Sequence, residues 1–166
     1  MRYKLSTIDK QHVEKIRLLR NNQLEILRQF KPISFMEQEE YFYSIHKDQR
    51  QILFSILEED KFIGYCGLTN INYVYGTAEV SFIVDQSDEE CEGVFLFCLH
   101  ELCGFAFNTL NLNKVHTETY EFRKKIIDLI EKSGFKKDGI LREHVYKNGQ
   151  RYNSFVHSLL SSEREI

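Results

Sequence analysis

The stretch that decides the fold is Ala78-Glu-Val-Ser-Phe-Ile-Val84, followed by Asp88-Glu-Glu-Cys-Glu-Gly-Val-Phe-Leu-Phe97. The first segment has the β-branched and aromatic composition of a strand, and the second ends in the start of an apolar helix. A strand, a short loop with glycine and a helix start together present backbone N–H groups to a phosphate. Here the loop holds one glycine, Gly93, and is crowded with carboxylates. The pattern therefore predicts a strand–loop–helix unit with an unusual charge at its loop.

The residues before this unit predict an N-terminal strand followed by helices. Residues 2–8 alternate between apolar and polar side chains, as a half-buried strand does. Asp9 is a suitable N-cap for a first helix, because its side chain accepts hydrogen bonds from the first N–H groups. Asn21–Phe30 predicts a second short helix, which ends at Lys31-Pro32 because the residue before a proline avoids helical backbone angles.

The rest of the chain predicts the sheet. Ser34 and Glu37 form a capping box that opens an amphipathic helix, after which the apolar period becomes strand-like. The turns Glu59-Asp60-Lys61 and Asn148-Gly149 mark two hairpins. The predicted strands are Gln51–Glu58, Phe62–Tyr73, Thr77–Asp85, Lys114–Tyr120, Leu141–Lys147 and Arg151–Leu160, and the predicted helices are 93–109 and Arg123–Ser133. We therefore predict one α/β (α+β) domain over residues 1–166, with a mixed, mostly antiparallel sheet flanked by helices.

Composition excludes several classes of protein. A chain of 166 residues with 42% apolar residues is large enough for one substantial core. The net charge of −3, without a block of lysine and arginine, gives no reason to expect a nucleic-acid partner. No apolar run reaches the roughly 18–20 residues that span a bilayer, so we expect a cytoplasmic protein without a membrane partner. The four cysteines lack metal-ligand spacing, and we expect reduced core residues and no metal.

Several segments, each weak alone, occur in the order and spacing of one known family. They are Leu19-Arg-Asn21, Pro32-Ile-Ser-Phe-Met-Glu-Gln-Glu-Glu-Tyr-Phe42, Ala106-Phe-Asn-Thr-Leu-Asn-Leu-Asn-Lys-Val115, Ser133-Gly-Phe135, Asp138-Gly-Ile-Leu-Arg142 and Lys147-Asn-Gly149. Together they resemble the GNAT superfamily of acyl-CoA N-acetyltransferases, in particular the ribosomal-protein alanine and aminosugar-nucleotide acetyltransferases. The resemblance covers most of the chain. It implies the GNAT fold, acetyl-CoA as acyl donor, and an amine acceptor on a small molecule, an aminosugar nucleotide or a protein N-terminus.

The glycine loop departs from the pattern of such enzymes. Their loop after the fourth strand reads Gln/Arg-x-x-Gly-x-Gly/Ala, and its amides hold the CoA pyrophosphate together with the helix N-terminus. The matching positions here are Glu90, Gly93 and Phe95, so only the middle glycine is kept. Arg123 stands where the family often has an asparagine near the CoA arm. Ile130 stands where it often has the tyrosine that protonates the departing thiolate, and isoleucine has no proton to donate.

The resemblance also implies catalytic roles. Glu118 matches the position of the general base in the alanine acetyltransferases, because a carboxylate can take the proton that an acceptor ammonium must lose. Glu79 is a second candidate for this role, and His116 and His144 have a suitable intrinsic pKa. All four residues also suit purely structural positions on strands. With Ile130 in place of the tyrosine, the thiolate would leave unprotonated or be protonated by water or Tyr120.

The resemblance further implies that amine and thioester lie side by side between the fourth and fifth strands, with backbone N–H groups polarising the thioester carbonyl. The predicted cofactor contacts are Phe82, Ile83, Val84, Gly93, Val94, Phe95 and Arg123. The predicted substrate contacts are Arg20, Asn21 and Phe35.

Several of these residues have structural alternatives. The acids of the loop favour the N-terminus of the following helix, and they also discourage a polyphosphate. Phe95 suits a core position as well as a cofactor contact, and Arg20 and Asn21 suit the end of the first helix. Arg123 suits an exposed helix start, a partner for the acidic loop, or a contact to the CoA 3′-phosphate. The apolar helix 93–109 fits either a deep core or the interface of a homodimer.

Two functions therefore stay open at this point. The first is an acetyl-CoA-dependent N-acetyltransferase that acts on a primary amine by direct attack. The second is a GNAT-fold binding or regulatory protein that no longer binds CoA, because a fold does not fix a function. The coincidence of Glu90, Phe95 and Ile130 motivates the second.

Overall fold

The computed structural model, which describes residues 2–164, contains a seven-stranded sheet of order β1-β2-β3-β4-β5-β7-β6. The strands are β1 Tyr3–Thr7, β2 Ile52–Glu58, β3 Lys61–Asn72, β4 Thr77–Val84, β5 Lys114–Tyr120, β6 Lys136–Lys147 and β7 Gln150–Leu160. The helices are α1 Val13–Asn22, α2 Phe35–Ile45, α3 Glu92–Gly104 and α4 Lys124–Lys132. β4 and β5 are parallel, whereas β1–β2, β2–β3, β5–β7 and β6–β7 are antiparallel. The predicted mixed α/β fold is confirmed.

The chain divides into two compact units. The first contains the residues up to Thr69 together with Ser81–Asp85, and therefore β1, α1, α2, β2, most of β3 and the end of β4. The second contains Asn70–Val80 and the chain from Gln86 onward, and therefore the end of β3, the β3–β4 turn, the start of β4, α3, β5, α4, β6 and β7. That residues 1–166 form one domain stays a prediction.

The first unit is held by an apolar cluster of helix and strand side chains, namely Ile8, Val13, Ile16, Leu19, Phe42, Tyr65 and Ile83. The apolar residues of α1 recur at the spacing that places them on one face of a helix. Gly64 of β3 is needed beside this cluster, because a Cβ there would collide with the carbonyl oxygen of Ile83 and with Val84 Cα. The close approach of β3 to the end of β4 therefore depends on a glycine.

The second unit packs the apolar faces of α3 and α4, and its most buried residues include Val94, Cys98, Leu102, Val115, Ile126, Leu129, Ile130 and Leu159. The predicted helix 93–109 is α3 followed by a π-helical turn at Phe105–Thr109, in which the Leu110 N–H donates to Phe105 O at 3.1 Å. The sequence did not predict this change of helix type. The predicted helix Arg123–Ser133 is observed as α4, and Gly134 follows it with a left-handed φ of 89°, as is common just after a helix.

Both predicted hairpin turns and the predicted capping box are confirmed. Glu59 and Asp60 have φ values of 49° and 63°, and Asn148 and Gly149 have φ values of 51° and 76°. Two consecutive positive φ values match the right-handed twist of the flanking strands. At the start of α2, Ser34 N–H donates to the Glu37 carboxylate at 2.7 Å, and the Glu37 N–H donates to Ser34 Oγ. A hydrogen bond from Lys31, and then the bonds from Ser34, lower the pKa of Glu37 to about 2.

The prediction of a helix over Asn21–Phe30 is wrong, because α1 ends at Asn22 and turns and bends follow it. The Asn21 side chain donates to Ile33 O and accepts from the Ile33 N–H, both at 2.9 Å, so it pairs with the backbone as a strand would. The Gln23 side chain donates to Val84 O at 2.6 Å. These long-range side-chain bonds outweigh the weak local preference for helix.

His12 is a buried histidine of the first unit whose surroundings disfavour the charged form of the ring. Its Nδ1 accepts the Asp9 N–H at 3.3 Å and lies 2.9 Å from the Ser55 hydroxyl, which is also buried. The ring stacks on Phe62 at 5.0 Å. Burial lowers the pKa of His12, and the charges of Asp9 and Lys15 act less strongly. A proton on Nδ1 would remove the acceptor of the Asp9 N–H.

We predict that the free energy of unfolding falls as the pH is lowered below about 6.5, which is the ordinary pKa of histidine. Below this pH His12 is protonated in the unfolded chain but still largely neutral in the folded chain, so acid favours the unfolded state. The loss continues down to the folded pKa, with a slope of at most about 1.4 kcal/mol per pH unit from this group. Urea unfolding of His12→Gln between pH 7.5 and 5.5 should show a shallower slope than the wild type. His100→Gln, at an exposed histidine, is the control. An unchanged slope in His12→Gln would contradict the assignment.

Candidate active site

The loop between β4 and α3 is stabilised by hydrogen bonds among its own residues. Glu90 accepts hydrogen bonds from the Ser87 hydroxyl at 2.7 Å and the Ser87 N–H at 3.3 Å, and these bonds lower the pKa of Glu90. The N–H groups of Glu90 and Cys91 both donate to Ser87 O. The carboxylate at the position of the family's polar or basic residue is therefore engaged in a turn.

Cys91 ends this turn and precedes the first residue of α3. Its side chain is buried, and its thiol lies 3.6 Å from Asp88 O. Burial, and then the charge of Asp88, raise the pKa of Cys91 to about 11, so the thiol stays protonated and does not serve as a nucleophile. The Phe95 N–H donates to Cys91 O at 2.8 Å. Since the first N–H groups of a helix lack acceptors within the helix, Glu92, Gly93 and Val94 supply the donors at this end.

Two ion pairs join the start of α3 to the start of α4. Arg123 donates to both oxygens of Asp88, at 2.7 and 3.0 Å, and its side chain is only 16% exposed. Lys125 Nζ lies 2.6 Å from a Glu92 oxygen, which lowers the pKa of Glu92 and raises that of Lys125. The acidic loop is therefore partly neutralised by cations from α4. The sequence raised Arg123 as a partner for the acidic loop, whereas the role of Lys125 was missed.

The other two departures from the family pattern lie in the apolar interior. Phe95 is 6% exposed and Ile130 is 1% exposed. Gly93, by contrast, is exposed on the first turn of α3. Phe95 and Ile130 thus contribute to the core of the second unit, and the cofactor roles predicted for Gly93, Val94, Phe95 and Arg123 stay predictions.

Three of the four candidate bases, Glu79, His116 and Glu118, lie on the parallel pair of strands, and His144 lies on β6. β4 and β5 pair through Thr77–Lys114, Ala78–Val115 and Glu79–His116. Because side chains alternate along a strand, Glu118 lies on the same face of the sheet as Glu79 and His116.

The surroundings of the two carboxylates differ. The Glu118 side chain is 16% exposed, and one of its oxygens lies 3.8 Å from His144 Nε2. The Glu79 carboxylate accepts a 2.7 Å hydrogen bond from the side-chain amide of Asn70. The backbone of Asn70 is in the left-handed region, with a φ of 49°. Glu118 thus has a titratable neighbour on β6, whereas Glu79 is hydrogen-bonded to Asn70 near the end of β3. The sequence did not link His144 to Glu118.

The remaining predicted residues belong to the first unit. Ile83 and Val84 are buried at the end of β4, where the Asp85 N–H donates to Ile63 O at 2.8 Å. Phe82 is partly buried on the same strand.

The predicted substrate residues surround the end of α1. The Arg20 guanidinium lies 5.6 Å from the Tyr41 ring and donates to Gln29. The Asn21 amide is engaged with Ile33, and Phe35 is 46% exposed at the start of α2. Arg20 and Asn21 therefore hold the segment after α1, and a role of any of the three in substrate binding stays a prediction.

The described residues 2–164 contain no cluster of metal ligands and no helix that could span a membrane. No group of three or more histidine, cysteine, aspartate or glutamate side chains is arranged to hold a metal ion in this part of the chain. Among the same residues, none of the helices has the length and apolar character needed to cross a membrane.

Comparison with known proteins identifies the family. The family model for the acetyltransferase (GNAT) domain matches residues 5–156. An uncharacterized N-acetyltransferase, p20, of Bacillus licheniformis is 29% identical over 112 residues, which cover 66% of this chain. The match spans 62% of the length of that relative. A spermidine N(1)-acetyltransferase of Vibrio cholerae is 28% identical over 118 residues, which cover 70% of this chain and 68% of that protein.

A solved structure extends the likeness to the whole fold. The crystal structure of spermidine N-acetyltransferase from Vibrio cholerae, in complex with CoA and spermine, is similar with a TM-score of 0.90 and 24% identity. The similarity covers 98% of this chain and 97% of that chain. At this identity the likeness concerns the fold alone. Because the family model spans most of the sequence, the chain belongs to the GNAT acetyltransferase domain family.

Proposed function

We propose that the chain transfers an acetyl group from acetyl-CoA to a primary amine by direct attack. The observation that carries the proposal is the GNAT family match over residues 5–156. The largely buried carboxylate of Glu118 on β5 supplies a base suited to the reaction. The Vibrio cholerae relative is named a spermidine N(1)-acetyltransferase, which favours a small alkylamine over a protein N-terminus or an aminosugar as acceptor.

The residues at the start of α3 suit the phosphates of CoA in part. Exposed Gly93 and its neighbours offer backbone N–H groups at a helix N-terminus, where partial positive charge favours an anion. Arg123 and Lys125 place two cations at the same end. These cations are already paired with Asp88 and Glu92. A phosphate would have to replace a carboxylate, so its binding free energy would be less favourable than at an unpaired cation.

The proton chemistry falls to residues of β5. Acetyl-CoA supplies the acyl group as a thioester when it is bound. Glu118 accepts the proton of the acceptor ammonium, directly or through water, so that the nitrogen lone pair is free to attack. His144, whose Nε2 lies 3.8 Å from a Glu118 oxygen, would help to position this carboxylate. Glu79, on the same face, is the alternative base.

The end of β4 would polarise the acyl carbonyl with its backbone N–H groups near Phe82–Val84. The hydrogen bonds from Gln23 to Val84 O and from the Asp85 N–H to Ile63 O fix this strand end. A fixed donor does not need to reorganise when charge develops on the oxygen.

The departing thiolate lacks the family's tyrosine, because the matching residue is Ile130. Tyr120, which lies two residues after Glu118 and therefore on the same face of β5, is the nearest replacement in sequence. Water is the other source of this proton.

A binding protein without CoA chemistry is the second candidate function. It is favoured by the buried Phe95 and Ile130, which have become core residues, and by the Glu90 carboxylate that closes the loop. The two candidates differ in one measurable property, which is the affinity for acetyl-CoA.

We predict that acetyl-CoA at 100 times its Kd raises the free energy of unfolding by about 2.7 kcal/mol, because the ligand binds only the folded chain. Thermal unfolding with and without millimolar acetyl-CoA measures the shift, and dephospho-CoA tests the 3′-phosphate. Folded, monodisperse protein that shows no shift would exclude the acetyltransferase and leave the binding protein.

We predict opposite effects from the two partners of the ion pair at the loop. Asp88→Asn should tighten acetyl-CoA binding about two- to five-fold, because Arg123 then has no competing carboxylate, whereas Arg123→Gln should weaken it by a similar factor. Calorimetric titration measures both constants. Glu143→Gln, at a carboxylate 65% exposed on β6, is the matched control. Equal effects of the same sign would contradict a competition for Arg123.

We predict that Glu118→Gln lowers kcat by about 10²–10⁴-fold at neutral pH, in the range of lost general-base catalysis, and leaves the acetyl-CoA affinity unchanged. A thiol-release assay with spermidine as acceptor measures kcat, and raising the pH should partly restore it, because more of the amine is then already deprotonated. Glu79→Gln is the matched variant on β4. If Glu79→Gln shows the large loss and Glu118→Gln does not, the base is Glu79.

A further inference from the structure

An open groove of about 590 Å³ beside α4 has no role in the proposed acetyl transfer. Its volume is in the range of small-ligand sites, about 300–1,000 Å³. Three aromatic side chains line it, and the Phe122 and Tyr152 rings meet edge to face at 5.0 Å. The other lining residues are Glu121, Lys124, Ile127, Asp128 and Phe155.

Two carboxylates, those of Glu121 and Asp128, line the groove. Within residues 2–164, neither Glu121 nor Asp128 has a cation within 4.0 Å, which is the limit for an ion pair. The negative charge of Asp128 acts on Lys125, since it contributes to the raised pKa of that lysine. Lys124 also lines the groove, so two carboxylates and one ammonium leave a formal charge of −1 on its wall.

The aromatic rings of this region already accept ammonium groups from the chain itself. Lys137 Nζ lies 4.3 Å from the centroid of Phe155, and Lys147 Nζ lies 5.6 Å from that of Tyr120. The face of an aromatic ring carries negative charge that attracts a cation within about 6 Å. One lining ring, Phe155, thus already accepts an ammonium, and it lies in the same groove as two carboxylates with no ion pair among residues 2–164, which favours an alkylammonium over an anion or a neutral sugar.

We propose that this groove binds a small free alkyldiamine, with its ammonium groups against the rings of Phe122, Tyr152 and Phe155 and beside the carboxylates of Glu121 and Asp128. The alkyl chain of such a ligand covers the apolar wall at Ile127. This binding is distinct from acetyl transfer and needs no acetyl-CoA.

Calorimetric titration of the full chain with 1,4-diaminobutane at pH 7, without acetyl-CoA, tests the proposal. We expect saturable binding, with backbone amide shifts in ¹⁵N NMR spectra centred on residues 121–128 and 152–155. The neutral isostere 1,4-butanediol should not bind, because it has the chain length but no charge. No binding of the diamine, equal binding of the diol, or shifts elsewhere would overturn the proposal.

Matched variants locate the interaction. Asp128→Asn and Phe155→Leu should each weaken diamine binding about two- to five-fold, as expected for one exposed carboxylate contact or one cation–π contact. Glu143→Gln removes an exposed carboxylate already paired with Arg151 and should leave the constant unchanged. Asp128 is exposed, so Asp128→Asn should remain folded even if Phe155→Leu does not. An unchanged constant in Asp128→Asn would overturn the proposal.

Two controls separate the ligand and the site from the proposed acetyl transfer. A lysine blocked at both its amino and carboxyl groups carries one side-chain ammonium, and tighter binding of this probe than of the diamine would overturn the assignment to a free diamine. Diamine binding should persist in Glu118→Gln, which lacks the proposed base. Loss of binding in that variant would place the diamine at the acetyl-transfer site and overturn the separate groove.

Discussion

The parallel pairing of β4 with β5 is the constraint on which most of the second unit depends. Thr77, Ala78 and Glu79 lie beside Lys114, Val115 and His116. Parallel neighbours cannot be joined by a tight turn, so the chain must cross over through a helix. That helix is α3, and its N-terminus must follow the end of β4. The loop, the free N–H groups of α3 and the carboxylates of both strands therefore result from one pairing.

Electrostatics then decide what this arrangement can bind. A helix N-terminus favours an anion, and here the anions are supplied by the chain itself as Asp88 and Glu92. The cations that neutralise them come from the first residues of α4, where positive charge is unfavourable for the helix dipole. Each helix start is thus compensated by the other. A phosphate entering this region replaces a carboxylate and does not fill an empty site, which makes its affinity depend on the difference between two similar interactions.

The sequence predicted the fold well where local and long-range preferences agree. Asn148-Gly149 fixes the last hairpin through backbone angles alone, and Ser34 with Glu37 fixes the start of α2 within one turn. Asn21–Phe30 was wrong because its conformation depends on bonds from Asn21 to Ile33 and from Gln23 to Val84, across distances that no local pattern contains. The π-helical turn depends on packing in the same way.

The candidate site shows the same division. The sequence located the loop and its departures from the family pattern, since these are properties of single positions. The pairing of Lys125 with Glu92 and the approach of His144 to Glu118 join residues 33 and 26 positions apart, so neither could be seen from spacing.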